Sequence, residues 1–205
     1  MKIKVCGITN LEDAEYAISL GVDALGFILF PASPRYIELN AAVEIIRQLP
    51  PFVTRVAVTV NMTDDQLKEV EFAGCFDRFQ FHGDESLEQC RRWRSHTLIK
   101  AIGLPIKPSQ VALADYPVSA LLIDKASTSY GGTGETVDWK EAANICRNVH
   151  HPVILAGGLN SDNIEQAIKT VQPYGVDVCS GVEASRGKKD HEKLKEFVLK
   201  CRKSR

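Results

Sequence analysis

Residues Ala120 to Lys140 read A-L-L-I-D-K-A-S-T-S-Y-G-G-T-G-E-T-V-D-W-K. Four apolar residues open the stretch, as in a strand buried on both faces. A carboxylate, Asp124, stands where the apolar run stops. A loop with Gly131, Gly132 and Gly134 follows. Asp138 then opens a helical pattern, Trp139 to Val149, with its acid at the positive helix start. Strand, acid, glycine-rich loop and helix form the catalytic end of a strand in an α/β protein. An ordinary βα unit, with Asp124 only forming a turn, has the same outline.

The same rhythm runs through the chain. Strand-like runs are Ile3–Cys6, Ala24–Phe30, Val53–Val60, Arg78–His82, Thr97–Ile102, Ala120–Asp124, Pro152–Ala156 and Val176–Ser180. Helical patterns between and after them are Leu11–Leu20, Asn40–Leu49, Asp64–Ala73, Ser86–Arg94, Pro108–Leu113, Trp139–Val149, Asp162–Val171 and Lys188–Arg202. Thr9-Asn10-Leu11-Glu12 and Ser161-Asp162-Asn163 offer N-caps. Gly21 and Gly175 fall where a left-handed C-cap wants glycine, and Gly-Val-Asp follows a helix at both places. Strands alternating with helices imply a parallel sheet with right-handed crossovers. Eight such units in 205 residues fit a single-domain (β/α)8 TIM barrel spanning residues 1–205. A doubly wound open sheet is the alternative. Cys6-Gly7-Ile8-Thr9 stands where a G-x-G-x-x-G would open its dinucleotide-binding version.

Composition narrows the function. Hydrophobic residues make up 44% and charged residues 25% of the chain, with a formal charge of -1. That balance gives no field for gathering nucleic acid or an anionic membrane. No apolar run approaches the roughly 20 residues of a membrane span. Met1-Lys2-Ile3-Lys4-Val5 enters a strand pattern at once, so the expectation is a cytoplasmic protein without an export signal. Six scattered cysteines, at 6, 75, 90, 146, 179 and 201, show no zinc spacing. They read as reduced thiols, five of them packing as small hydrophobes.

Barrel chemistry sits where the strands end. Gly157-Gly158 after strand seven and Ser180-Gly181 after strand eight suit a phosphate held on backbone N–H groups, and the Gly131–Gly134 loop can join them; two tight turns are the plainer account. No Walker lysine motif occurs, which favours a phosphorylated metabolite over a nucleoside triphosphate. Arg35, braced by Pro34 and Tyr36, suits bidentate capture of a carboxylate or second phosphate, or is a surface arginine. Cys6 ends strand one before Gly7 and a helix start, which lowers a thiol pKa. It can serve as base or nucleophile, or simply pack. Strands one and six lie three steps apart around a ring of eight, so Cys6 and Asp124 would face each other across the mouth as an acid and base pair. Asp124 would then need a pKa raised by partial burial.

These residues carry a resemblance over nearly the whole chain. Lys4-Val5-Cys6-Gly7-Ile8-Thr9, Gly26-Phe27, Ser33-Pro34-Arg35-Tyr36, Gln80-Phe81-His82-Gly83, Asp124 with Tyr130-Gly131-Gly132-Thr133-Gly134, Asp138-Trp139, Ala156-Gly157-Gly158-Leu159, Gly175 to Glu183 and Gly187-Lys188-Lys189-Asp190 together resemble the phosphoribosylanthranilate isomerase family of tryptophan biosynthesis. The resemblance implies a barrel enzyme that performs an Amadori rearrangement of N-(5-phosphoribosyl)anthranilate. Asp124 would protonate the ring oxygen, and Cys6 would take the C2 proton. Arg35 would hold the anthranilate carboxylate. His82 would contact the substrate, Asp177 its sugar hydroxyls, and Gly132, Gly157, Gly158, Ser180 and Gly181 its phosphate. No metal or organic cofactor is implied, and a monomer or homodimer is.

Three departures stand out: Phe81 for a usual leucine, Cys179 for a usual serine and Thr59 for a usual phenylalanine. Phe81 and Thr59 bear on the shape of the anthranilate pocket. A second reading keeps the barrel but takes an aminoimidazole-carboxamide ribotide; related isomerases of that kind use paired Asp residues, and a thiol at position 6 argues against it. A third is a silent binder or partner subunit, for instance beside an indole-glycerol-phosphate synthase. The chain has no room for a second barrel.

Overall fold

The computed structural model describes residues 1–95, 97–106, 113–126 and 136–204. Strands β1 (Lys2–Cys6), β2 (Ala24–Ile28), β3 (Thr54–Thr59), β4 (Arg78–Phe81), β5 (Leu98–Leu104), β6 (Ala120–Lys125), β7 (Val153–Leu155) and β8 (Gly175–Val178) pair in chain order, and β8 closes onto β1. Each of these pairings is parallel. The sheet is therefore a closed barrel without free edges, not the open alternative. Around it lie α1 (Leu11–Ser19), α2 (Leu39–Ile46), α3 (Asp64–Phe72), α4 (Leu87–Arg92), α5 (Trp139–Asn148), α6 (Ile164–Val171) and α7 (His191–Lys203). The expected helix at Pro108–Leu113 lies outside the described residues except for Leu113, which starts a 3-10 turn, Leu113–Asp115. After β8 comes a 3-10 turn, Ser180–Val182, then a short hairpin of β9 (Glu183–Ser185) and β10 (Lys188–Lys189).

Local sequence sets most boundaries. Asn10 caps α1, its side chain accepting from the Asp13 N–H at 2.9 Å. Asp138 caps α5 by accepting from Lys140 and Glu141, and Gly21 takes a φ of 78° just past α1, as a left-handed C-cap requires. Two expectations are corrected. The left-handed residue ending α6 is Gln172, with φ 53°, not Gly175. Gly175 begins β8 instead, where a Cβ would meet the Lys2 carbonyl oxygen at 3.0 Å. The turn into α6 is organised by Asn160, whose side-chain oxygen accepts from the N–H groups of Asp162 and Asn163, rather than by Ser161.

Alternation along each strand decides what reaches the interior. Leu121 and Ile123 of β6 pack outward under the helices, while Ala120 and Leu122 pack on the axis. Asp124, two residues beyond Leu122, accordingly lines the cavity at the mouth. Outward Ile3 and Val5 leave Lys4 and Cys6 inside, and outward Val176 and Val178 leave Asp177 and Cys179 inside. Outward Phe79 and Phe81 send His82 to the cavity. Phe81 is fully buried in that outer layer. Neither it nor Thr59 lines the cavity, where Val58 and Val60 supply the β3 surface. The expected effect of those two departures on pocket shape is therefore corrected.

Candidate active site

At the C-terminal ends of the strands a cavity of ≈ 280 Å³ opens, with Cys6, Arg35, His82, Asp124, Asp177 and Ser180 in its wall. Asp124 supplies its acidic side. One carboxylate oxygen accepts from the Lys125 N–H at 2.7 Å. The other lies 3.2 Å from His82 Nε2. The amide nitrogen of Gln80 faces His82 Nδ1 at 2.8 Å. The Gln80 amide thus fixes the ring so that Nε2 faces Asp124. The loop after β4 is itself pinned. Buried Lys100 donates to the Gly83 carbonyl at 2.7 Å and to Glu85 at 2.8 Å, and Glu85 accepts from the N–H groups of Asn61 and Gly83. Gly157, with φ 78°, comes so close behind Asp124 that a Cβ would lie 3.0 Å from Oδ1.

Cys6 stands across the mouth. Its sulfur lies beside the Lys4 ammonium: a Cβ built on Gly26 would meet the two at 2.8 and 3.0 Å. The Cys6 thiol is held well below its usual range, first by the hydrogen bond from Cys179, then by the charges of Lys4 and Lys189, against the opposing effect of burial. Cys179 goes the other way, well above the usual value, through its interaction with Cys6 and through burial; its sulfur also lies 4.0 Å from Glu183 Oε1. Of the two thiols, Cys6 is thus the one poised to ionise. Burial works against a charged Lys4, but Asp177 at 3.0 Å and the Cys6 thiolate outweigh it and hold Lys4 above its ordinary value. Burial pushes Asp177 up to about 7, even beside that ammonium. Lys189 donates to the Cys6 carbonyl at 2.7 Å, the Cys179 carbonyl at 3.3 Å and Glu183 at 3.2 Å.

Arg35 is buried, not a surface arginine. Its Nε and Nη2 donate to Glu183 at 2.9 and 2.8 Å, which leaves three of its five N–H groups for other partners. At the far end of the cavity, Gly157 and Gly158 adopt φ values of 78° and 62°, beside Ser180 at the start of the 3-10 turn. First N–H groups of such a turn lack intrahelical partners and suit an anion. Gly181 lies outside the wall, where a Cβ would run into the Leu159 carbonyl oxygen. It lets the loops after β7 and β8 touch. Arg186, at the hairpin tip, adds a cation to the wall.

The cavity thus gathers Cys6, Arg35, His82, Asp124, Gly157, Gly158, Asp177 and Ser180. Gly132 and the rest of the Gly131–Gly134 loop lie outside the described residues. Sequence reasoning missed Lys4, Cys179, Glu183 and Lys189 as site residues. Lys4 carried a signal: a charge two residues before Cys6 in an otherwise apolar run, hence on the same strand face. The expectation that Cys179 only packs as a small hydrophobe is corrected by its contact with Cys6.

This is the layout of a (β/α)8-barrel enzyme that moves protons on a small anionic substrate. The family model for N-(5'-phosphoribosyl)anthranilate isomerase matches residues 3–200. The chain belongs to that family. A curated relative from Magnetococcus marinus, an N-(5'-phosphoribosyl)anthranilate isomerase, is 45% identical over 205 residues, which cover 100% of this chain and 96% of that protein. A crystal structure of phosphoribosyl anthranilate isomerase in complex with reduced 1-(o-carboxyphenylamino)-1-deoxyribulose 5-phosphate superimposes with a TM-score of 0.87 at 36% identity, covering 99% of each chain. Monomers generated from the dimeric enzyme of Thermotoga maritima give a TM-score of 0.87 at 35% identity, again over 99% of each chain.

Proposed function

We propose that this chain converts N-(5-phosphoribosyl)anthranilate into 1-(2-carboxyphenylamino)-1-deoxyribulose 5-phosphate, an Amadori rearrangement in tryptophan biosynthesis. One observation carries the reading: a thiolate, Cys6, and a carboxyl, Asp124, line a single cavity from strands three steps apart. A pentose between them can be protonated on one side and deprotonated on the other. Membership of the family and the ligand of its solved member support the same substrate.

Asp124, held by His82 and the Lys125 N–H, delivers a proton to the furanose ring oxygen. The C1–O bond breaks, and the anthranilate nitrogen lone pair forms a C1=N bond. Cys6 then takes the proton from C2. The C–H electrons form C1=C2, and the C=N pair returns to nitrogen. The C2 hydroxyl then gives up its proton, its O–H electrons form C2=O, the C1=C2 pair takes a proton at C1, and the ketone stands at C2. Lys4 and Lys189 favour the thiolate that starts the second step. Asp177 meets the sugar hydroxyls. The donors of Arg35 that Glu183 leaves over take the anthranilate carboxylate. Backbone groups of Gly157, Gly158 and Ser180 hold the phosphate.

Steady-state kinetics on Cys6→Ser and Asp124→Asn test the assignment. Each variant should lose about 10²- to 10⁴-fold in kcat, the range for a general acid or base, with its melting temperature little changed. Turnover at the parent rate in either variant would refute the role given to that residue.

A further inference from the structure

We infer that Cys6 and Cys179 form a modification site, in which a peroxide closes the two thiols into a reversible disulfide across the β1–β8 seam. In the parallel pairing of these strands Val5 lies opposite Val178. The next residues, Cys6 and Cys179, follow that pair directly in their two chain segments. Adjacent strands run about 4.8 Å apart, inside the roughly 4.4–6.8 Å Cα separation that a disulfide accepts. Both side chains point into the cavity and line its wall. The Cys179 sulfur packs against the residue that follows Cys6: a Cβ built on Gly7 would stand 3.0 Å from it. Lys189 grips both carbonyls, at 2.7 and 3.3 Å, and ties the two chain segments together.

The remaining cysteines lack these conditions. Burial pushes Cys90 up to about 11 and Cys201 up to about 12, and it also raises Cys75 and Cys146. None of the four lines the cavity.

The chemistry balances with a peroxide as oxidant and a dithiol as reductant. The Cys6 thiolate attacks one peroxide oxygen; an S–O bond forms, the O–O bond breaks and hydroxide leaves. Sulfur is oxidised by two electrons to the sulfenic acid, and the peroxide is reduced. Cys179 then attacks that sulfur. The S–S bond forms, the S–O bond breaks, and the departing hydroxide takes the Cys179 proton to become water. A dithiol returns both thiols by exchange. Bond formation does not depend on the proposed isomerase reading; only the accompanying loss of turnover does, since the bond occupies the sulfur assigned as base.

Full-length protein treated with hydrogen peroxide, alkylated and digested without reductant gives the answer by mass spectrometry. The expected product is lower in mass by about 2 Da, has two fewer free thiols and yields a linked peptide pair containing residues 6 and 179. Dithiothreitol should restore both thiols and most of the lost turnover. In Cys179→Ser the link cannot form, so peroxide should carry Cys6 on to the acid that dithiothreitol does not reverse, and recovery should be poor. Peroxide that leaves Cys6 unoxidised, or oxidises it without the 6–179 link, overturns the inference whatever the enzyme's substrate. Equal recovery in the parent and Cys179→Ser overturns the protective role of the pair.

Discussion

Lys4 offers direct control of the thiolate. Its ammonium lies 3.0 Å from Asp177 and close to the Cys6 sulfur, both flanking Gly26. Lys4→Met keeps an unbranched stem and removes the charge. At about 5 Å and an effective dielectric of about 20, one positive charge favours the thiolate by roughly 3 kcal/mol. That corresponds to a movement of about two pH units. Asp177 absorbs the loss of its partner. Its carboxyl already titrates at about 7, and without the ammonium it binds a proton at neutral pH instead of remaining as a bare buried charge. The assay is the rate of iodoacetamide alkylation at Cys6, read on the peptide by mass spectrometry from about pH 5 to pH 10, beside kcat over the same range. The midpoint should rise by about two units, and kcat at neutral pH should fall roughly 10- to 100-fold and recover as the pH is raised. An unmoved midpoint would mean that the Cys179 hydrogen bond alone sets the thiolate, and the role argued for Lys4 would be wrong.

Other outcomes follow from the same contacts. Asp177 binds its proton up to about 7 when folded, against about 3.9 in an unfolded chain. The folded state therefore holds more protons between those values, and this group's contribution to stability is lost as pH rises from about 4 through 7; Asp177→Asn should flatten that decline in denaturant midpoints, and an unchanged slope would contradict it. Arg35→Met strands buried Glu183 with Lys189 as its remaining side-chain cation, so urea titration should show about 3–5 kcal/mol lost together with a raised KM. A raised KM at full stability would mean that the Arg35–Glu183 pair is not a structural element. Gly181→Ala pushes a Cβ onto the Leu159 carbonyl, backbone that cannot swing away. Unfolding curves should register about 1–3 kcal/mol of strain, and a silent substitution would show that the loops after β7 and β8 do not touch.

The barrel was legible because its signal is local and repeated. Each strand is a short apolar run, each helix a separate pattern, and β6 ends on Asp124 just where its apolar residues stop. Cys6 was legible for a similar reason, being followed by Gly7 and a capped helix. Partners across the closing seam were not. Lys4 finds Asp177 173 residues away, and Arg35 finds Glu183 148 residues away. Nothing near Arg35 in the chain says that its guanidinium is partly occupied. Phe81 misled for a different reason. Its weight came from replacing a usual leucine beside His82, although alternation sends residue 81 to the opposite side from His82.

The β1–β8 seam also explains why this thiol is the ionised one. Three buried cations meet there, Lys4, Arg35 and Lys189, against two buried carboxylates, Asp177 and Glu183. Asp177 titrates at about 7 and is only partly ionised at neutral pH, so positive charge predominates among these five groups and favours a thiolate at Cys6. Cys179 is close enough to share the role but serves better as the donor, because the Lys4 ammonium bonds Cys6 directly. A helix start after Gly7 would make the low thiol pKa a property of one strand end. In the folded chain the charges that lower it come from a seam built from both ends of the sequence, so the reactivity of Cys6 depends on the closure of the barrel.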